Sequence, residues 1–437
     1  MIIKITPKTA ITFIKVIVAL SFSWPLSKNA SKFQVTCFKI SRLLLCMNAV
    51  VLSVPVAYTI YHNDYDLPRI MKLWCLLGAF IQIPLEITQC ALQYDRLQYL
   101  VSEMEHTFEC AEPYEKKIYQ QYIDRCATFY ASSTAAVFLC AVIATMMPLI
   151  QADQIFPTDA KYPFNVEHEP LKSIVFIHQC VAVWQCFSIV GLGVFIALLI
   201  WFSAARFEIL SHQFRMVTDI YGIAMCVRQH IKLLRFAQEV IIAFRSVILS
   251  IIIICTWAIV ASGLTIVSRS MLKDKIQFLT LCISALMEVY VCAWPADYLI
   301  DASTNVAQAV YESLWYNQDK IFQKNLNFIL LRSQTATTVT VSILPALSLQ
   351  YYASVLLLRR YRKIKEKGCR PINQIYGVWL QWIHASGRFD LQVMGPEYAH
   401  RNYRLCHLHF EEKWYKIGKC RASLLPNAVP TIFFGRK

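Results

Sequence analysis

Glu86, His178 and Glu288, side chains able to carry charge or exchange a proton, lie inside strongly apolar stretches of this 437-residue chain. A charge at the centre of a hydrocarbon layer costs about 2.5 kcal/mol or more, so such a group turns to a protein interior or reaches for a polar surface. Glu86 and Glu288 are read in this way, as facing a helical bundle or snorkelling. His178 is read as a hydrogen-bond donor for a small ligand. Beyond these residues the chain has no catalytic constellation. It lacks a glycine-rich phosphate loop, a pair of histidines four apart with an intervening glutamate, and a serine elbow. It reads as a non-enzyme.

The elements that must position these groups are long apolar segments. Hydrophobic residues make up 57% of the chain and charged residues 16%, against about a quarter charged in a soluble domain. About 20 apolar residues cross a bilayer as a helix. Seven spans follow: Leu43 to Tyr61, Ile70 to Leu92, Phe129 to Ile150, Ile174 to Phe202, Val247 to Val267, Phe278 to Leu299 and Phe328 to Leu358. The fold class is therefore all-α, a seven-transmembrane helical bundle. The 16 cysteines are scattered, several within the spans, and behave as small hydrophobes.

Lys and Arg gather before the first span, between the second and third, and between the fourth and fifth. Positive residues mark cytoplasmic segments, so the N-terminus is cytoplasmic. This is the reverse of a G-protein-coupled receptor. The net charge of +15 is not by itself evidence of nucleic-acid binding, because a membrane protein collects Lys and Arg in its cytoplasmic loops. The connection from Ala204 to Arg245 is amphipathic at helical spacing, with Phe207, Leu210, Phe214 and Val217 on one face, so the fourth and fifth spans continue below the membrane. The apolar run Ala10 to Phe22 is followed by Ser23-Trp24-Pro25, with no small-x-small cleavage site. It reads as an amphipathic or re-entrant segment at the cytoplasmic interface.

Between the last two spans stands Tyr311-Glu312-Ser313-Leu314-Trp315-Tyr316, followed by Leu330-Leu331-Arg332-Ser333-Gln334 and Leu344-Pro345-Ala346-Leu347-Ser348. This order resembles the C-terminal signature of insect odorant receptors, and Trp24-Pro25 and the inverted topology fit it as well. The resemblance covers about residues 1–354. It implies an odorant-gated cation channel subunit of the plasma membrane, in a heterotetramer with a co-receptor and surrounded by membrane lipid. It also implies a cytoplasmic subunit anchor including Tyr311, Trp315, Leu330 and Arg332, and a small volatile ligand in the outer halves of spans two, three, four and six. The outer halves supply Trp74, Phe80, Ile81, Met146, Met147, His178, Trp184 and Phe278, apolar and aromatic as a neutral ligand requires.

After Ser354 the pattern departs from that family. The pore-lining half of its last span is replaced by Val355-Leu356-Leu357-Leu358 and a basic run of Arg and Lys through Lys367. Impaired conduction is the expectation. The chain divides into a receptor-like domain, 1–358, a basic linker, 359–377, and a tail, 378–437. In the tail, Trp379, Cys406-x-x-His409 and Ala428-Val429-Pro430-Thr431 resemble the second half of a THAP zinc finger. The resemblance implies a zinc site through Cys406 and His409, with Cys369 upstream as a third ligand. Structural zinc takes four ligands, so the site is incomplete and neither a cofactor nor a nucleic-acid partner is expected. The alternative function is a membrane-tethered DNA-binding protein acting through that tail.

Overall fold

The computed structural model describes residues 5–62, 67–150, 155–158, 160–166, 168–313, 315–318, 320–341, 344–356, 415–417 and 422–424. The chain forms two compact units, Met1–Val355 and Leu356–Lys437. Each is described by itself.

The first unit is helical. It comprises α1 (Pro7–Ala19), α2 (Lys32–Tyr61), α3 (Leu67–Leu92), α4 (Tyr94–Cys110), α5 (Pro113–Ile150), α6 (Leu171–Met216), α7 (Ile220–Val267), α8 (Leu272–Tyr311), α9 (Lys320–Ser333) and α10 (Leu349–Leu356). Local chemistry sets several starts. Ser31 and Gln34 form a reciprocal capping box at α2, which satisfies two amide donors that a helix start leaves free. The Asp219 carboxylate accepts from the Gly222 amide at 2.9 Å and starts α7.

Six helices, α2, α3, α5, α6, α7 and α8, are long and apolar enough to cross a membrane. α6 and α7 hold 46 and 48 residues. At 1.5 Å per residue each is about 70 Å long, more than twice a hydrocarbon core of about 30 Å. Their surplus packs with α4 and the start of α5 into a helical base. α6 is the central helix, and the interior clusters on its flanks.

The first helix is re-entrant in form. Ile17, near its end, touches α6 at Gly191, while its start lies by Gln120, whose side-chain amide donates to the Ile5 carbonyl at 2.8 Å. The chain turns at Phe22, whose φ of 52° is in the left-handed region. It then returns to α4, where Gln98 donates to the Leu26 carbonyl at 2.8 Å and Leu26 donates to the Tyr94 hydroxyl at 3.2 Å. Arg42 secures the turn by donating to the Phe22 carbonyl at 2.7 Å. Trp24 packs on Phe195 of α6, with ring centroids 4.8 Å apart.

The expected seventh span is not one helix. Residues 328–333 end α9, and a hairpin follows, β1 (Val339–Val341) antiparallel to β2 (Leu344–Leu347), before the eight-residue α10. The reason is in the sequence. Thr335, Thr337, Thr338, Val339, Thr340 and Val341 are β-branched, stiff at χ1 and suited to extended backbone. Pro345 lacks the amide a helix interior needs.

In the second unit β3 (Tyr415–Ile417) pairs antiparallel with β4 (Ala422–Leu424), Lys416 opposite Ser423. Cys369, Cys406 and His409 lie outside the described residues.

Candidate functional site

The eight side chains expected around a ligand sit in different surroundings. Phe80 is buried among Ala49, Leu52 and Val56 of α2, Ala182 of α6 and Ala160 of the loop before α6. Trp74, Ile81 and Met146 are exposed by nearly half of their surface and face outward. Ile81 lines a shallow groove with Val50, Pro84 and Leu85. Phe278 is buried near the start of α8. Met147, His178 and Trp184 are half-buried. Trp184 meets Phe138 and Phe187 edge-on, at 5.4 and 5.9 Å.

His178 has a partner within the protein. Its Nε2 stands 2.9 Å from the Asn48 carbonyl of α2. Two turns further along α6, Gln185 accepts from the Asn48 side-chain amide at 2.8 Å and donates to the Leu45 carbonyl at 2.8 Å. These bonds tie α6 to α2. His178→Ala is expected to lower thermal stability by about 1 kcal/mol, the usual worth of one such bond. A melt of the purified protein in detergent checks this, and an unchanged midpoint counts against the strut.

The loop before α6 closes over the same end of the bundle. Thr158 donates through its amide and hydroxyl to the fully buried Gln179, both at 2.9 Å, and Gln179 donates to the Tyr162 hydroxyl at 3.2 Å. Lys161 donates its amide to Thr59 of α2 at 2.7 Å. Any ligand entering from that end meets this cover.

The carboxylates in the apolar helices face inward. Glu86 is 2% exposed and accepts from Gln82 at 2.7 Å. The Cys255 thiol lies 3.5 Å from Glu288.

The four anchor residues surround the short helical turn Trp315–Asn317 and α9. Trp315 donates its ring N–H to the Tyr311 carbonyl at 3.1 Å. Leu330 packs against the core, whereas Tyr311, Phe328 and Leu331 are each about two-thirds exposed. Arg332 lines a groove of about 590 Å³ with Ile223, Val227 and His230 of α7. His230 lies 17 residues before the apolar stretch that begins at Val247, in the part of α7 outside the membrane. Burial, with the Arg332 guanidinium second, pushes its pKa down to about 4, so it is neutral at pH 7. At the end of α8, Arg215 donates to Glu312 at 2.7 Å and Gln308 donates to its other oxygen at 2.7 Å. These bonds hold the Glu312 carboxyl below its ordinary range.

The sequence reading missed an almost wholly apolar cavity. It measures about 270 Å³ and lies between α1, α5 and α6. Tyr119, Tyr122, Cys126 and Tyr130 line it from one face of α5, at positions i, i+3, i+7 and i+11. That spacing was a usable signal. Trp201 and Phe202 close the α6 side.

Six apolar helices of crossing length, with a helical base and a re-entrant first helix, define a multi-pass membrane protein. The chain belongs to the 7tm odorant receptor family, whose model matches residues 66–358. Residues 371–433 match the model of the THAP domain. Among curated relatives from Drosophila melanogaster, Odorant receptor 67a is 28% identical over 240 residues, 51% of this chain and 58% of its own length. Odorant receptor 13a is 28% identical over 143 residues, 30% of this chain and 34% of its own length. The matched region thus spans less than two-thirds of these relatives. In fold, the chain is similar to the olfactory receptor OR5 from Machilis hrabei, with a TM-score of 0.71 at 15% identity, covering 83% of this chain and 98% of that one. A structure of OR5 in complex with eugenol gives 0.69 at 15% identity, covering 80% and 96%.

Proposed function

We propose that the chain is the tuning subunit of an odorant-gated cation channel in the plasma membrane, working in a heterotetramer with a co-receptor. The observation that carries this reading is the family match across residues 66–358. The likeness to a receptor solved with eugenol supports a small volatile ligand. Within the bundle the ligand is assigned to the outer halves of α3, α5, α6 and α8. The half-buried Trp184, Met147 and His178 are assigned as its nearest contacts and the buried Phe80 and Phe278 as its walls, while Trp74, Ile81 and Met146 lie on outward faces of the same helices. Tyr311, Trp315, Leu330 and Arg332 are assigned to the contact between subunits. The exposed Phe328 and Leu331 on the same helix favour a covered surface there.

Conduction by this subunit is impaired in this reading. After Ser354 the sequence departs from the family pattern of the last span. The family match ends at 358 and the THAP match begins at 371. The test is whole-cell current on co-expression with a co-receptor. The chain as written is expected to give little odorant-evoked current. A chimera that replaces residues 355–437 with the end of Odorant receptor 67a is expected to conduct. Equal currents from the two, at equal surface expression, refute the impairment, and silence of both refutes the receptor reading.

The THAP match favours a second reading, DNA binding by the tail. Cys369, Cys406 and His409 supply three ligands where structural zinc takes four. One tightly bound zinc per full-length chain, measured by metal analysis, decides for this reading.

A further inference from the structure

The cavity beneath α1 has no part in the proposed odorant site, which lies at the other end of the bundle. We propose that it holds one acyl chain of a phospholipid from the cytoplasmic leaflet.

The wall offers hydrocarbon. Its main polar groups are already engaged with one another or with the backbone. Tyr122 donates to Glu208 at 2.6 Å, Tyr130 donates to the Val291 carbonyl at 2.9 Å, and Trp201 donates to the Tyr130 hydroxyl at 3.1 Å. A buried water needs two to four free polar partners, and an apolar cavity of about 150 Å³ stays dry and takes benzene. This cavity is larger, at about 270 Å³, and an unfilled void forfeits the contacts of every atom around it.

The direction of the cavity matches a lipid chain. α1 lies along the half of α6 that the Lys/Arg distribution places toward the cytoplasm. One end of the cavity, at Ile5, Tyr119 and Ala205, is therefore near the headgroups. The other end, at Ile14, Ala131 and Val194, lies deeper in the membrane. At the shallow end the Gln120–Ile5 bond brings the start of α1 beside the start of α5. These first turns carry the exposed Lys8, Lys116 and Lys117, the charge a lipid phosphate requires.

The rim opens to lipid. Phe13 lies on it and is 44% exposed, and Val16 and Leu20 continue the same outward apolar surface of α1. A helix apolar toward its protein neighbours and also outward is immersed in hydrocarbon.

The test is photolabelling of the full-length chain in nanodiscs of phosphatidylcholine and phosphatidylserine, with a diazirine on the acyl chain and mapping of adducts by mass spectrometry. Adducts are expected on Tyr119, Tyr130 and Phe202, which are buried and line the cavity. Ala127→Phe, which fills the cavity from α5, is expected to remove these adducts while leaving labelling of the outward Ile253 unchanged. If that variant fails to fold, the unaltered protein still decides. A diazirine near the glycerol must label Tyr119, and one near the chain end must label Ile14 or Val194. Absence of adducts on the buried residues overturns the proposal. So does unchanged labelling in a folded Ala127→Phe protein, or the reverse order of depth.

Discussion

Gly191→Val is expected to dislodge the first helix and destabilise the receptor unit by about 3 kcal/mol, the upper part of the usual range for overpacking. A Cβ built on Gly191 falls inside the van der Waals shell of Ile17 Cγ2, and the Ile17 Cβ and carbonyl carbon stand 3.5 and 3.7 Å away. Neither partner has room to yield. Ile17 is β-branched and 6% exposed, and α6 is buried on nearly all sides. Small residues allow this close approach of two membrane helices. The readouts are the melting midpoint in detergent and hydrogen exchange across residues 7–19. The midpoint and the protection of α1 are both expected to drop in Gly191→Val. The double variant Gly191→Ala with Ile17→Ala is expected to recover much of the loss, because the two residues share one contact and their effects do not add. Full protection of α1 in Gly191→Val means that α1 is not seated on α6.

The fold was legible in the sequence where a whole segment was apolar. The first six expected spans fall within α2, α3, α5, α6, α7 and α8. Helix ends were less legible. The first span was expected to begin at Leu43, whereas α2 begins at Lys32, because Lys39 and Arg42 are costly only in hydrocarbon and the helix continues outside it. The last span was expected to run unbroken because the average apolarity of residues 328–358 outweighed the β-branched run and Pro345. The face of each helix was not legible. In a helix apolar on every side, periodicity does not separate lipid from protein, so Phe80 is buried while Trp74 and Ile81 face outward. His178 drew attention as a polar group in an apolar span, but its acceptor is a backbone carbonyl 130 residues away, and no local pattern records that. Gly191-Leu192-Gly193 within an apolar run was the available sign of a close helix contact.

Trp201→Ala is expected to be the most damaging change in the lower half of the bundle, at about 3–5 kcal/mol. Trp201 joins three helices. From α6 it donates to Tyr130 of α5 at 3.1 Å, and Tyr130 passes the link to the Val291 carbonyl of α8 at 2.9 Å. Its ring meets Trp294 at 5.2 Å edge-on and Tyr298 at 4.8 Å. Truncation removes this packing and enlarges the cavity beneath α1, and the loss of enclosed contacts outweighs the loss of one hydrogen bond. Trp201→Phe separates the two contributions. It keeps an aromatic ring against Trp294, leaves Tyr130 its bond to Val291, and removes the indole donor with only part of the ring volume, so the expected loss is about 1–2 kcal/mol. Thermal melts of both variants test the ordering. If Trp201→Phe costs as much as Trp201→Ala, the hydrogen-bonded link holds the three helices together. If Trp201→Phe is mild and Trp201→Ala severe, the helices are held chiefly by aromatic packing around α6.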